Sequence, residues 1–148
     1  MDQQNSLPKI VIVEDNEALA EIYKTRLEII GYTCFVAKDG IEALVLIERE
    51  RPTLVLLDLM LPKLAGEEIL RVMRGSEWGK DIKVFVISNL NESDAPAGLH
   101  NLGIEGYVVK ANLANDQIDT LVNNILKPGS GQVVQAEVLE TVDSDGVA

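Results

Sequence analysis

Three carboxylates close two short apolar runs: Glu14 and Asp15 follow KIVIV, and Asp58 follows TLVLL. Both runs are rich in Val, Ile and Leu, the pattern of strands buried on both faces of a parallel sheet. In an open sheet of that kind ligands gather beyond the carboxyl ends of the strands, where the strand order reverses. Carboxylates brought together there repel one another unless a cation sits between them. Hard oxygen ligands suit a divalent ion, Mg²⁺ above all. Two further apolar runs end in Ser88-Asn89 and in Lys110, which add a hydroxyl and an ammonium to the same rim. Acid, metal, hydroxyl and lysine together describe a site for phosphoryl transfer.

The elements that must position these groups alternate five times between strand-like and helix-like patterns, which predicts an α/β fold: a doubly wound parallel sheet with helices on both faces. Strands are expected over 9–14, 32–37, 53–58, 82–88 and 104–110. The first helix is expected to begin at the N-cap Asn16, to carry Leu19, Ile22, Tyr23, Leu27 and Ile30 as its apolar stripe, and to stop at Gly31. Asp39-Gly40 leads into a second helix with Ile41, Leu44, Val45 and Ile47 inward, closed by Arg51-Pro52. A third helix is expected over 66–74. The fourth, about 93–101, is expected to be short or mobile: Pro96 fits a first helical position, but Gly98 costs about 1 kcal/mol inside a helix. The fifth spans about 112–127, with Ile118, Leu121, Val122 and Ile125 inward. Residues 1–8 read as an N-terminal extension, 9–127 as the domain, and 128–148 as an acidic flexible tail after Pro128-Gly129.

The balance of charge narrows the partners. The chain carries 24 acids against 13 bases, a net of −11; residues 1–127 hold 20 acids and 13 bases, a net of −7, and the tail adds four acids and no base. So negative a surface disfavours direct binding to nucleic acid or to anionic membranes. The one cysteine, Cys34, lies in an apolar strand and reads as core. No apolar stretch is long enough to span a bilayer, and the first residues lack the pattern of a secretion signal, so a cytoplasmic location is expected. Trp78 reads as a surface loop residue and His100 as a surface residue of the fourth helix.

In order along the chain, VIVED with Glu14-Asp15, LVLLDLMLP with Asp58 and Pro62, Gly66, VISN with Ser88, and GYVVK with Tyr107 and Lys110 resemble the receiver domain of two-component response regulators, of the chemotaxis-type, single-domain kind. The resemblance runs from about residue 9 to 127 and implies a flavodoxin-like sheet of five strands in the order 2-1-3-4-5 with five helices. It implies that Asp58 accepts a phosphoryl group from a histidine kinase or phosphotransfer protein. Asp15, Asp58 and the backbone carbonyl of Met60 would hold Mg²⁺, with Glu14 acting through water. Ser88, the backbone N–H of Asn89 and Lys110 would hold the phosphoryl oxygens. Ser88 and Tyr107 would form the switch, read by a downstream protein on the face of the fourth helix, fifth strand and fifth helix. Such a chain is a phosphoacceptor rather than an enzyme, and a monomer or weak dimer.

Three residues depart from the resemblance. Ala111 stands where proline usually follows the lysine through a cis bond, so the 110–111 peptide is either trans or a cis bond costing about 2.5–4 kcal/mol. Asn89 stands where a small residue is usual. Met60 and Leu90, two residues beyond Asp58 and Ser88, are apolar where a polar side chain would orient a hydrolytic water, so slow self-dephosphorylation is expected. The competing reading is a phosphorylation-independent pseudo-receiver acting as a protein-binding module. A flavin carrier lacks its phosphate cradle here, and an aspartate-dependent phosphatase lacks an acid at position 60.

Overall fold

The computed structural model describes residues 7–127. Strands β1 (Lys9–Val13), β2 (Thr33–Ala37), β3 (Leu54–Leu57), β4 (Lys83–Ser88) and β5 (Gly106–Val109) form one sheet in the order β2-β1-β3-β4-β5, every neighbouring pair parallel. Helices α1 (Glu17–Ile29), α2 (Gly40–Glu50), α3 (Gly66–Arg74) and α4 (Gln117–Leu126) cover its two faces. This is the doubly wound parallel sheet that the alternation predicts, in the flavodoxin-like order that the resemblance implies. Alternate side chains of each strand enter opposite cores. Val11, Val13, Val55 and Leu57 pack with α2 and α3, whereas Ile10, Ile12, Leu54 and Leu56 pack with α1 and α4.

Local chemistry starts and stops the helices. The Asn16 side chain accepts the Leu19 N–H at 3.0 Å, and Asp39 accepts the Glu42 N–H at 2.8 Å, so α1 and α2 begin on side-chain caps. Gly31 leaves α1 at φ +111°, a conformation that favours glycine. At Gly66 a Cβ would overlap the Asp58 carbonyl, so only glycine lets α3 start this close to the end of β3.

Three expectations need correction. Four α-helices form among the described residues, not five: the fourth expected helix is replaced by two single 3₁₀ turns, Glu92–Asp94 and Leu99–Leu102. Gly98 lies between them at φ +86° and Pro96 starts no helix, so the segment has neither the length nor the conformation for an α-helix. The last helix begins at Gln117 rather than near 112, because residues Lys110–Asn112 close a 3₁₀ turn and the Gln117 side chain caps the Ala114 N–H at 2.7 Å. Ile22, Ile41 and Val45 face outward, and Ala20, Ala43 and Leu46 take the buried positions; spacing alone does not say which flank of a stripe meets the sheet. Trp78 is a loop residue packed, half-buried, on the outside of the α2–α3 core. The peptide bond from Lys110 to Ala111 is trans. The extension before residue 7 and the tail 128–148 lie outside the described residues.

Candidate functional site

Strand register sets the rim. Val13 of β1 pairs with Leu57 of β3, so Glu14 and Asp58 leave the sheet side by side. The Asp58 N–H donates to the Val13 carbonyl at 3.2 Å and the Glu14 N–H to the Ala37 carbonyl at 3.0 Å, which extends the ladder to the carboxylates themselves. On the other side Ser88 pairs with Val109, and Lys110 follows at once. Glu14 and Asp58 are each only 3% exposed, and Ser88 is fully buried.

One lysine joins the two acidic strand ends. Lys110 Nζ lies 2.8 Å from Asp58 Oδ2 and 2.8 Å from Glu14 Oε1. The remaining oxygens are also held: Asp58 Oδ1 accepts the Met60 N–H at 3.0 Å, and Glu14 Oε2 accepts the Asn16 N–H at 3.0 Å. Burial raises the Glu14 carboxyl above its ordinary value, against the opposing pull of Lys110. For Lys110, burial pulls downward, yet its hydrogen bonds to Asp58 and Glu14 prevail and the ammonium is held above its ordinary value. The lysine is therefore a fixed positive charge at the mouth of the site.

Asp15, the next residue, is exposed at the same rim. Glu14, Asp15 and Asp58 each bring a carboxylate oxygen into a cluster whose members lie within 4.8 Å of one another. Three hard oxygen donors on two strand ends, one of them facing solvent, fit a small divalent cation that keeps several of its waters.

Ser88 and Tyr107 meet on one backbone unit. Ser88 Oγ accepts the Leu90 N–H at 3.3 Å, and the Tyr107 hydroxyl donates to the Leu90 carbonyl at 2.6 Å. Burial raises the Tyr107 phenol above its ordinary value, so it remains a donor. Asn89 is exposed at the rim and Met60 is 57% exposed beside Asp58.

The structure thus brings together Glu14, Asp15, Asp58, Met60, Ser88, Asn89, Tyr107 and Lys110 at one end of the sheet. Two features are new. Glu14 contacts Lys110 directly, a pairing that no sequence spacing announces. Tyr23 of α1 also packs beneath the acids, its phenol raised by burial and by the negative charge of Glu14. Its place in the α1 stripe, one turn beyond Leu19, was the available signal.

Residues 10–123 match the family model of the response regulator receiver domain. The chain belongs to that family. This receiver is similar to the "Probable transcriptional regulator ycf27" of Porphyridium aerugineum, with 36% identity over 120 residues that cover 80% of this chain and 48% of that one. It is also similar to the "Response regulator MprA" of Mycobacterium sp. (strain KMS), 37% identical over 103 residues that cover 69% of this chain and 44% of that one. The receiver spans about half the length of the curated relatives it matches. Among solved structures, the receiver domain of the Francisella response regulator 1452 matches with a TM-score of 0.71 and 28% identity, covering 81% of this chain and 97% of its own. The CheY-like response regulator receiver domain protein of Methanospirillum hungatei JF-1 gives a TM-score of 0.71 and 26% identity, covering 82% and 95%. The receiver is thereby a two-component signalling domain. No helix among its described residues is long and apolar enough to cross a membrane.

Proposed function

We propose that this receiver accepts a phosphoryl group on Asp58 from the phosphohistidine of a sensor kinase or phosphotransfer protein. The observation that carries this reading is the buried Asp58 carboxylate, held at 2.8 Å by Lys110 beside the acids Glu14 and Asp15. An Asp58 oxygen attacks phosphorus, the P–N bond breaks, and its electron pair leaves on the imidazole nitrogen. Phosphoryl transfer asks the protein for alignment and charge neutralisation more than for covalent help. Met60 N–H holds one Asp58 oxygen and orients the other. Lys110 stands ready to neutralise a transferred oxygen, and the Asn89 N–H and the Ser88 hydroxyl complete the set.

Mg²⁺, held by Asp15, Asp58, the Met60 carbonyl and, through water, Glu14, would supply the remaining positive charge that the crowded phosphoryl oxygens need. Drawing the Ser88 hydroxyl toward phosphate takes the acceptor from the Leu90 N–H, while Tyr107 still grips the Leu90 carbonyl. The 89–102 segment then re-docks, and a downstream protein reads the face it forms with β5 and α4.

The chain works in this reading as a cytoplasmic phosphoacceptor, not an enzyme, as a monomer or weak dimer. The net −7 of residues 1–127 supports contact with proteins rather than with nucleic acid through this part of the chain. A chemotaxis-type, single-domain role rests on the resemblance of these motifs alone; the curated relatives are named as transcriptional regulators. Beryllofluoride, a phosphoryl mimic, tests the switch. Titrated with Mg²⁺, it should shift the amide resonances of Asp58, Ser88, Leu90 and Tyr107 together. Resonances that stay unmoved would mark a phosphorylation-independent module.

A further inference from the structure

Among the described residues, the opposite flank of the sheet ends in a strand whose outer edge is open, which the proposed phosphoacceptor role does not use. β2 is an edge. Its ladder to β1 uses alternate residues: the Thr33 N–H donates to the Pro8 carbonyl at 3.0 Å and the Ala37 carbonyl accepts from the Glu14 N–H at 3.0 Å. Cys34 and Val36, out of phase with these, turn their N–H and C=O groups away from β1 toward the open edge. That edge floors a groove of about 420 Å³ between α1 and α2, with Cys34, Phe35 and Val36 below and Val45 and Leu46 on the α2 wall. Val45 is 60% exposed and Ile41, one turn before it, 54%. An exposed strand edge flanked by exposed apolar side chains is a template for another strand.

The charges around the groove specify what fits. Its walls carry two acids and two bases, Glu21 and Lys24 on α1 and Glu42 and Arg49 on α2, a neutral patch on a strongly acidic domain. On α2, Val45 lies three residues after Glu42 and four before Arg49, close to the middle of the pair. Reversing that helix about Val45 therefore sets Val45 against itself and brings Glu42 and Arg49 of the two copies level to within one residue's rise, about 1.5 Å. A twofold axis through the middle of an antiparallel β2–β2 pair performs this reversal, and does the same for Glu21 and Lys24 on α1. The spacing also agrees. α2 rests on β1 and β2, so adding a second β2 at the usual strand separation places the two α2 axes about 10 Å apart, an ordinary distance for packed helices. Lys24 and Arg49 also lie near Glu28 and Glu50 of their own helices, at 3.9 and 2.9 Å, but exposed pairs of this kind exchange at little cost.

We propose that a second copy of this chain occupies the β2 edge, pairing antiparallel through Cys34 and Val36 so that two five-stranded sheets join into one of ten strands, with Val45 at the twofold axis. The contact is isologous, with the same patch on both partners. It lies on the flank opposite β5 and leaves the switch face free.

Sedimentation equilibrium of the full chain from low micromolar to millimolar concentration tests this. The wild type should move from monomer toward dimer mass. Val45→Lys, on an exposed site, should weaken association about tenfold or more, a change of about 1.4 kcal/mol. Val36→Pro removes an outward N–H that β1 does not use, and should abolish association while the fold, checked by circular dichroism, survives. Arg49→Glu should weaken the dimer, and Glu42→Arg added to it should restore it. A chain that is monomeric throughout overturns the proposal and leaves the edge to a strand from another protein. A dimer indifferent to both Val45→Lys and the Glu42/Arg49 exchange overturns it as well, and assigns association to another face.

Discussion

The two halves of the rim are built differently. On the β1–β3 side every strand residue from Ile10 to Val13 and from Leu54 to Leu57 is buried, and α1 and α2 start on the side-chain caps of Asn16 and Asp39. On the β4–β5 side all four residues of β5 are only half-buried, the connection before it holds two single 3₁₀ turns, and α4 starts without a side-chain cap from Asp116. The acids stand on the rigid half, while Ser88, Tyr107 and the segment they grip, the proposed switch, lie on the looser one. Two basic side chains cross between them. Lys110 ties the end of β5 to the carboxylates. Arg74, at the end of α3, donates to the carbonyls of Gly79, Ile82, Leu102 and Gly103 at 2.6–2.9 Å. The proposed switch, which would hold a charge cluster still and move a surface, needs this division: local stability high where alignment matters and low where the conformation must change.

Core truncation gives the largest contrast. Leu70→Ala, in the fully buried face of α3, should cost about 2–5 kcal/mol in urea unfolding. Leu99→Ala removes the one fully buried side chain of the 3₁₀ turns and should fall near the low end, about 2 kcal/mol, because the loose segment can collapse onto the gap. Equal costs would erase the distinction between the halves. Next comes Arg74→Met, which strands several half-buried carbonyls and should cost about 1–3 kcal/mol. Its amide exchange should quicken at Gly98 to Gly103 far more than in β1, sharpening the role of Arg74 as the tie.

Helix caps give a smaller contrast. Asn16→Ala should cost about 1 kcal/mol, whereas Asp116→Ala, without a cap bond to lose, should stay within about 0.5 kcal/mol. A thermal melt separates the two. The finest effect is kinetic. Once phosphorylated, the wild type should keep its acyl phosphate longer than Met60→Asn, since the apolar Met60 side chain beside Asp58 orients no water. Decay of the phosphorylated mass with time measures it, and a wild-type lifetime no longer than the variant's would remove Met60 from the account.

The rigid half was the legible half. Its runs of Val, Ile and Leu, its Asn16 cap and its α3 bounds of 66–74 could be read directly, because burial, capping and period each leave marks in the sequence. The looser half was read only in part. Gly98 signalled a short or mobile fourth helix, but not that two 3₁₀ turns would replace it. Lys110 was placed by the apolar run it closes and Tyr107 by resemblance, whereas the Glu14–Lys110 contact and the Arg74 clamp join residues far apart in the chain and depend on how strand ends align in three dimensions. The outward turn of Ile41 and Val45 escaped for a related reason: at a sheet edge an apolar stripe need not face the sheet.

The most direct test is the intact mass of the chain after incubation with acetyl phosphate, with and without Mg²⁺, for the wild type and for Asp58→Ala. One added phosphoryl group that requires both Mg²⁺ and Asp58 is the expected result. A phosphoryl group carried equally by Asp58→Ala, or none on the wild type with acetyl phosphate and with a phosphorylated histidine donor alike, would contradict it.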